Sequence, residues 1–580
     1  MKLRRIFNNV FISKRTIVTD FKTLAEMQQK SCLKHSDRPL FGTNQPDIKW
    51  TTYKQWNDNI EIFRNYLHSV NIIKNDKVAI ISNNKIEWSV AAYSCYNLGA
   101  VFVPMYQNQR MVDWKYILND SKSKILIVTD NKIYQKCKHL EQEIDCLEKV
   151  IYFNNNYHQF SSKSNPNIIL PTEDDLASLI YTSGTTGNPK GVKITHKNLV
   201  SNIKGIQDSF PDFKKICNEN DTSISFLPWA HCYGQTCELH GLISSGSSLY
   251  LSEGVDKLVE EIETVKPTLL FSVPALFNRI YDSINQKFSK NKILQNILND
   301  ALNTSRKVKF EKSNKLDKVK YNFYEKLIFS KIRNKLGGNL RHSFVGGAAT
   351  PLKVIEFFEL INVPIIEGYG LTETSPIITL GTLDYPDRKL GCVGKPLPNN
   401  DVIILKNNVI QPVNQEGEIL TAGPNVMSGY HNLDSDVFSN INDINYFKTG
   451  DIGYLDERNR LFITGRLKEQ YKLENGKFVI PSLLENHYNT IPSINQILVY
   501  GDNRPFNIAI IFPNYKSNSY IEEIELVSKN NNIKIYEVPK KVLIIEEPFT
   551  FENGLLTPKM SIKRDKVFDK YKSEIDSLYK

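Results

Sequence analysis

The chain has 580 residues, of which 41% are hydrophobic and 23% are charged. This length exceeds what one hydrophobic core normally serves, so we expect one large unit with several parts and at least one smaller domain. The composition excludes a disordered or fibrous chain. Lysines occur along the whole chain, and the formal net charge of +10 indicates a solvated basic surface, with attraction to anionic small molecules or acidic membrane surfaces as the alternatives. We expect no nucleic-acid partner.

Three sequence patterns bear on the cellular compartment of the protein. The 8 cysteines include no CxxC pair, which predicts reduced thiols and an intracellular protein. No apolar run approaches the roughly 18 to 20 residues that cross a bilayer, so we expect no spanning segment, while peripheral membrane association stays open. Residues 1–20 are basic before Asp20 and include Phe7, Phe11 and Ile12. They are a candidate mitochondrial targeting segment, and an ordinary basic terminus is the alternative.

In chain order, short β-rich runs alternate with helical stretches from about residue 75, as in KVAIIS, IEWSVAAYSCYNLGAVFVPM, SKILIVTD and KVIYF. This alternation predicts parallel strands with crossover helices. Residues 281–336 are rich in Lys and Asn, with Leu, Ile and Phe at helical spacing, and are predicted to form a surface helical excursion without a chemical role. A β-rich subdomain is predicted at about 390–465, and a new α/β pattern begins near Leu467.

The predicted fold class is therefore α/β. A large N-terminal domain, residues 21–466, combines parallel α/β subdomains with the β-rich subdomain. A small α+β C-terminal domain, residues 467–580, follows.

The strongest single motif is YTSGTTGNPKG, which begins at Tyr181 directly after an apolar strand candidate. Closely spaced hydroxyls and glycines expose donors that can surround a polyphosphate, and Lys190 adds a cation. Gly191 follows the lysine where an ordinary nucleotide P-loop has Ser or Thr, so the motif is of a different kind. The candidate phosphate-binding residues are Thr182, Ser183, Gly184, Thr185, Thr186, Gly187 and Lys190.

With this motif the chain resembles the adenylate-forming superfamily, which includes acyl-CoA synthetases, luciferases and adenylation domains. The segment GYGLTE at 368–373 is similar to the superfamily's second signature. The resemblance implies that Tyr369, next to Gly370, stacks on adenine, that Thr372 meets phosphate and that Glu373 holds Mg²⁺, with Thr182 as a further candidate ligand. These residue types suit those roles, because carboxylate oxygens are the ligands that Mg²⁺ prefers.

Three later segments resemble further elements of the superfamily in the same order. Gly347 and Ala348 lie in VGGAA, where small residues let the backbone approach adenine and the acyl group. Asp451 in TGD implies a carboxylate on the ribose hydroxyls, and Arg466 in TGR implies a contact to ribose and phosphate. Lys468 takes the position of the hinge between the two domains.

The branch of the superfamily is indicated by other stretches. LPWAH at 227–231 resembles the LPxxH element of acyl-CoA synthetases and implies that His231 lies near the acyl carboxylate. SVP at 272–274, GPNVMSGY at 423–430 and the Lys472–Val479 stretch are similar to the long-chain fatty acyl-CoA branch. The implied function is activation of long-chain fatty acids with ATP and Mg²⁺ through an acyl-adenylate, followed by transfer to coenzyme A; a medium-chain ligase is the alternative.

One segment departs from the superfamily pattern. LTPKMSIKR at 556–564 places Ser561 where the adenylation lysine usually stands. A displacement of two residues keeps a strand side chain on the same face, so Lys559 is the candidate catalytic lysine and Lys563 the alternative. The same departure leaves open a catalytically impaired homologue that binds fatty acid or acyl-CoA, and an adenylation domain that serves a carrier protein is a further alternative.

Overall fold

A computed structural model of the chain describes residues 20–45, 47–162, 170–182, 188–550, 553–556 and 562–580. Within these ranges no helix combines the length and the apolar character needed to cross a membrane. Nearly all of the candidate targeting segment lies outside them. So do Ser183, Gly184, Thr185, Thr186, Gly187 and Lys559, together with the side chain of Lys468.

The strands are numbered here in chain order. They are β1 Pro39–Gln45, β2 Asp47–Thr52, β3 Lys77–Ile81, β4 Val101–Met105, β5 Ile125–Val128, β6 Lys149–Tyr152, β7 Leu176–Thr182, β8 Lys190–Thr195, β9 Thr222–Ser225, β10 Ser248–Leu251, β11 Leu269–Ser272, β12 His342–Val345, β13 Ile365–Gly370, β14 Ile377–Leu380, β15 Lys395–Pro396, β16 Asp401–Lys406, β17 Val409–Ile410, β18 Gly417–Ala422, β19 Phe438–Ile441, β20 Ile444–Leu455, β21 Leu461–Arg466, β22 Tyr471–Lys472, β23 Phe478–Val479, β24 Ile494–Tyr500, β25 Ile508–Pro513 and β26 Lys541–Ile544.

The α-helices are numbered in the same way. They are α1 Leu24–Lys34, α2 Tyr53–Ser69, α3 Ile86–Leu98, α4 Met111–Ser121, α5 Asn131–Cys137, α6 His196–Asp208, α7 Phe213–Ile216, α8 Gly241–Ser245, α9 Leu258–Val265, α10 Pro274–Ser289, α11 Lys292–Phe310, α12 Lys315–Tyr324, α13 Ser330–Asn334, α14 Leu352–Leu360, α15 Pro481–Tyr488, α16 Tyr520–Asn530, α17 Arg564–Lys570 and α18 Lys572–Leu578. Four shorter helical elements are also used below. They are the 3-10 helices Thr372–Thr374 and Leu467–Glu469 and the π-helical turns Gly234–His240 and Glu325–Phe329.

Two large sheets with parallel strands form the body of the protein. One has the order β6-β5-β3-β4-β7-β8, in which only the β7–β8 hairpin is antiparallel. The other has the order β15-β14-β13-β12-β11-β9-β10-β1-β2 and is parallel from β13 to β1. Crossover helices between the strands account for the alternation seen in the sequence.

The β-rich segment forms an antiparallel sheet in the order β17-β16-β18-β20-β19, with β21 paired to β20. After β21 the chain enters the short 3-10 helix at Leu467–Glu469 and then a separate region with the sheet β24-β25-β26. In this region β25 and β26 are parallel. The side chain of Lys353 on α14 donates to the Thr490 carbonyl at 3.4 Å and links the last region to the body.

The main core lies between the two large sheets. Helix α3 is buried from Trp88 to Asn97, and its sequence IEWSVAAYSCYNL is apolar on nearly every side, as expected for a helix that is surrounded by protein. Gly99 ends it in the left-handed conformation at φ +65°. Trp88 contacts Phe102 of β4 and Trp229 at ring-centroid distances of 4.9 and 5.5 Å. The helix thus joins the first sheet to the loop that follows β9.

A buried carboxyl group supports the carboxyl end of β9. Glu238 is 0% exposed and accepts hydrogen bonds from Ser223 at 3.0 Å and Ser225 at 2.7 Å. Burial raises the pKa of Glu238 from its ordinary 4.5 to about 8, although the two serines favour the charged form. A buried carboxyl without a cationic partner is more stable neutral. Glu238 is therefore protonated in the folded protein at neutral pH.

This carboxyl makes stability depend on pH. Glu238 loses its proton near pH 4.5 in the unfolded chain and near pH 8 in the folded one. Between those two pH values the folded state binds more protons than the unfolded state. The contribution of Glu238 to stability is therefore full below pH 4.5 and is lost as the pH rises through about 8. We predict that Glu238→Gln, which cannot ionise, gains stability relative to the unmodified protein by up to ~1.4 kcal/mol per pH unit in this window.

Urea unfolding at several pH values measures the difference between the two proteins. Glu260→Gln is the matched control, since the Glu260 side chain is 78% exposed. Parallel stability profiles for the unmodified protein and Glu238→Gln would contradict the assignment.

Candidate active site

The β7–β8 hairpin holds the ends of the predicted phosphate loop. Thr182 is the last residue of β7 and pairs with Lys190, the first residue of β8. The intervening candidates, residues 183–187, lie outside the described residues. The hairpin therefore fixes one hydroxyl and one cation at the two ends of the loop.

Lys190 and Glu373 meet at Tyr430, a residue that the sequence analysis did not place in the site. The Lys190 Nζ lies 5.3 Å from the centre of the Tyr430 ring, and the Tyr430 hydroxyl donates to Glu373 Oε1 at 2.8 Å. Burial and the charge of Glu373 raise the pKa of Tyr430, so the hydroxyl keeps its proton and orients the carboxylate. The cation–π contact places Lys190 over the same ring.

Backbone hydrogen bonds hold Tyr430 in this position. Val192 and Tyr430 form an antiparallel bridge, the His431 N–H donates to the Gly191 carbonyl at 2.7 Å, and the Lys193 N–H donates to the Gly429 carbonyl at 3.1 Å. The segment therefore extends the edge of the first sheet beyond β8. The sequence signal for it was the Gly-Tyr pair at the end of GPNVMSGY, but its pairing with β8 cannot be seen in the sequence.

Thr372 has an unused hydroxyl. It is 4% exposed, and its Oγ1 has no hydrogen-bond partner within the described part of the chain. A buried hydroxyl without a partner costs stability, which is tolerated where a ligand supplies the partner. In contrast, Thr374 Oγ1 in the same 3-10 helix donates to the Pro376 carbonyl and accepts from the Leu371 N–H at 3.0 Å. Thr372 is thus set apart for an external acceptor.

Gly370 lets the chain turn into this 3-10 helix. A Cβ atom there would lie 1.7 Å from the Pro376 carbonyl oxygen, which is far inside van der Waals contact. Gly368, two residues earlier on the same strand, would make only ordinary contacts, the shortest at 3.4 Å to Ile377. Gly370 is therefore needed for the close approach of backbone at the site.

Tyr369, Asp451 and Arg466 form a chain of contacts at the border of the β-rich sheet. The Tyr369 hydroxyl donates to Asp451 Oδ2 at 2.7 Å, and Arg466 Nε lies 2.7 Å from Asp451 Oδ1. Asp451 is 2% exposed, and burial raises its pKa while the charge of Arg466 opposes the rise. Both carboxylate oxygens keep a second lone pair for ligand hydroxyls. The predicted adenine contact of Tyr369 and ribose contact of Asp451 stay predictions.

His231 lies at the start of the segment that forms one wall of a cavity. Its Nδ1 accepts from the Tyr233 N–H at 3.2 Å, which leaves the proton of a neutral ring on Nε2. The Tyr233 hydroxyl donates to the Phe344 carbonyl at 2.9 Å. Phe344 lies three residues before Gly347, which has φ +87°, and Gly347 is followed by the exposed Ala348. Asn84 fixes the same segment by accepting from the Trp229 N–H at 2.9 Å.

An apolar cavity lies directly behind these residues. Its walls include Ile206, Phe213, Tyr233, Leu242, Phe271, Ile366 and Leu380. Gly346 and Gly368 also line it and directly precede Gly347 and Tyr369. The cavity therefore ends where the predicted nucleotide-binding residues begin.

The residues present fit a magnesium–nucleotide complex. Glu373 offers a carboxylate, Thr372 an unused hydroxyl and Lys190 a cation, and Mg²⁺ is commonly held by one or two carboxylates together with substrate phosphates. No cluster of three or more His, Cys, Asp or Glu side chains suited to a metal occurs in the described ranges. A metal here would therefore depend on phosphate oxygens for most of its ligands, with Thr182 as a further candidate at the end of β7.

Comparisons with known proteins give matches over almost the whole chain. A family model described as AMP-binding enzyme matches residues 28–431, and one described as AMP-binding enzyme C-terminal domain matches residues 468–580. Long-chain-fatty-acid–CoA ligase FadD15 of Mycobacterium bovis is 30% identical over 560 residues, which cover 88% of this chain and 89% of that protein. Long-chain-fatty-acid–CoA ligase 5 of Rattus norvegicus is 28% identical and covers 97% and 89%, respectively.

Solved structures share the fold. MatB from Rhodopseudomonas palustris with bound ATP has a TM-score of 0.74 at 20% identity and covers 96% of this chain and 100% of that chain. The o-succinylbenzoate CoA synthetase MenE from Bacillus subtilis, in complex with an acyl-adenylate, has a TM-score of 0.70 at 20% identity and covers 93% and 97%. The predicted α/β fold class is confirmed.

A glycine pair tests the backbone of the site. We predict that Gly370→Ala lowers the free energy of unfolding by at least ~2 kcal/mol, because the Pro376 carbonyl must move, and that Gly368→Ala leaves it within ~0.5 kcal/mol. Chemical denaturation of both variants gives the comparison. Equal stability of the two would show that the close approach at Gly370 is wrong.

Proposed function

The chain belongs to the AMP-binding enzyme family, and from this membership we propose that it activates long-chain fatty acids with ATP and transfers them to coenzyme A. The observation that carries the proposal is the apolar cavity that ends at the nucleotide-binding residues. A cavity whose walls are mostly Ile, Leu and Phe suits an alkyl chain better than a polar acyl group. The carboxylate of such an acid would face His231 and Gly347 at its mouth.

The first half-reaction joins the acid to AMP. The carboxylate attacks the α-phosphorus of ATP in line, and pyrophosphate leaves, so the protein has to position the groups and neutralise charge. Lys190 and the Thr372 hydroxyl supply a cation and a hydrogen-bond donor to the phosphates. Tyr430 holds the Glu373 carboxylate in place, and Mg²⁺, when bound to that carboxylate, supplies positive charge to the phosphate oxygens.

Asp451 and Arg466 hold the nucleoside in this proposal. The carboxylate oxygens of Asp451 accept from Tyr369 and Arg466, which fixes them toward the ribose hydroxyls. Arg466 is the last residue of β21 and its side chain is 52% exposed. In this proposal it contacts the nucleotide, and it also lies at the start of the predicted hinge.

The second half-reaction transfers the acyl group to sulfur. The coenzyme A thiol attacks the acyl carbon of the adenylate, a thioester forms and AMP leaves. We propose that the C-terminal region moves about Lys468 between the two halves and that Lys559 serves adenylation. Leu556 and Ile562 form an antiparallel bridge on either side of the segment that contains Lys559. The alternative, Lys563, has its pKa lowered by burial and by Arg110.

Two threonines separate catalysis from stability. We predict that Thr372→Val lowers pyrophosphate release about a hundredfold, as loss of a donor to developing charge does, and leaves the free energy of unfolding unchanged, because the lost hydroxyl has no partner in the described structure. Thr374→Val is the matched control and should cost ~1 to 3 kcal/mol of stability, because its hydroxyl is bonded. Loss of stability without loss of activity in Thr372→Val would reverse the assignment.

The acyl substrate is tested with saturated fatty acids of increasing length, from C8 to C18. We predict coenzyme A-dependent thioester formation that is fastest with long chains and moves toward shorter ones in Gly241→Leu. Gly241 lines the cavity, and a Cβ atom there would meet only the Thr236 carbonyl at 3.5 Å, so the wall admits the first carbon of a larger side chain.

Gly241→Ala is the control and should keep the preference of the unmodified protein. Rates of thioester formation and of pyrophosphate release are measured for each acid. No pyrophosphate release with any acid would instead support a binding protein without catalytic activity, and a maximum at C8 would support a medium-chain ligase.

A further inference from the structure

The helical arm, defined here as residues 287–335, has no part in the site described above. It runs from the end of α10 through α11 and α12 to α13, between strands β11 and β12. It contains 14 Lys and Arg against 4 Asp and Glu, so its formal net charge of +10 equals that of the entire chain. The remaining residues carry 59 charges of each sign. Although lysines occur throughout the sequence, the excess positive charge is therefore concentrated in the arm.

Much of this charge is not neutralised by the protein. The ion pairs of the arm are Arg306–Glu356, Lys320–Asp300, Arg333–Glu325 and Lys335–Glu263. Within the described ranges no acidic group lies at ion-pair distance from Lys312, Lys315, Lys318 or Lys326, all of which are exposed. Unpaired cations grouped in this way attract an anionic surface.

Helix α12 turns one face to the protein and the other to solvent. Asn314 caps it by accepting from the Asp317 N–H at 2.8 Å. On the inner side, Tyr324 is buried at 8% exposure, and the Tyr321 hydroxyl accepts from Asn362 at 2.7 Å. These contacts fix the rotation of the helix about its axis.

The outer face of α12 carries a row of apolar side chains. Leu316, Val319 and Phe323 follow at spacings of three and four residues and are 79%, 67% and 60% exposed. Leu327 continues the row at 42%, and Ile293 and Leu294 at the start of α11 are also exposed. Single exposed apolar residues are ordinary, whereas a row of them on one helix face indicates a contact surface.

We propose that the helical arm docks on an anionic phospholipid membrane, with Leu316, Val319 and Phe323 in the headgroup region and the lysines on lipid phosphates. An apolar row with flanking lysines is the pattern of helices that lie in a membrane interface. Lysine suits this role because its alkyl stem lies along apolar surface while its ammonium group reaches phosphate. The apolar residues disfavour nucleic acid.

Vesicle binding tests the proposal with the full chain. The probes are phosphatidylcholine vesicles with and without about a third of phosphatidylserine, and binding is measured by co-flotation. We expect binding only to the anionic vesicles, and we expect it to weaken from about 0.05 M to about 0.5 M salt. Replacing Lys312, Lys315 and Lys318 by Gln should weaken it roughly a hundredfold, at about fivefold per lysine.

Replacing Leu316, Val319 and Phe323 by Ser should weaken the same binding at least about tenfold. The matched control replaces Val409, Ile410 and Val413 by Ser. These residues are 61%, 44% and 54% exposed and lie outside the arm, so their replacement should leave vesicle binding unchanged. Thermal unfolding confirms that each variant folds. Equal vesicle binding by all variants, absence of binding to anionic vesicles, or binding of the arm to an acidic protein alone would overturn the proposal.

Discussion

The pairing of the segment around Tyr430 with β8 is the constraint on which the site depends. It brings the β7–β8 hairpin, which carries Lys190, against the 3-10 helix that carries Glu373. Because the contact is made by backbone hydrogen bonds as well as by one side chain, its geometry does not depend on a flexible lysine or glutamate. A carboxylate held by a tyrosine hydroxyl is oriented before a ligand arrives, which lowers the cost of reorganisation during the reaction.

Two buried polar groups differ in how far the protein satisfies them. Thr372 Oγ1 lacks an acceptor in the described structure, and Glu238 is held neutral beneath the loop that leads to His231. Each costs stability where it stands. The two costs have different origins, however. Thr372 faces the site and gains its partner from the proposed phosphates, whereas Glu238 lies under the wall of the cavity and is satisfied by two serines.

More of the fold than of the site could be predicted from the sequence. Runs such as KVAII and ILIV, and the uniformly apolar α3, fold as the patterns predict because burial on both faces decides their composition. Residue types alone made Thr372, Glu373 and Asp451 plausible ligands, but only the superfamily resemblance brought them together. Tyr430 was missed because its role depends on pairing between distant segments, and Asn84 because an isolated asparagine has no pattern. The helical excursion was predicted, but not its apolar outer face, since tertiary contacts of Tyr321 and Tyr324 decide which side of α12 is covered.

The distribution of charge also limits how the site attracts its nucleotide. With the arm set aside, the rest of the chain has as many acidic as basic residues, so its net charge does not attract ATP. Affinity for phosphate must then come from short-range groups, among them Lys190, Thr372 and Arg466, which act within the screening length of physiological salt. The arm differs from the site, because its attraction for anions comes from many exposed charges spread over a broad surface. A pocket with few oriented donors and a surface with many exposed cations select different anions: the first a single polyphosphate, the second a plane of phosphates.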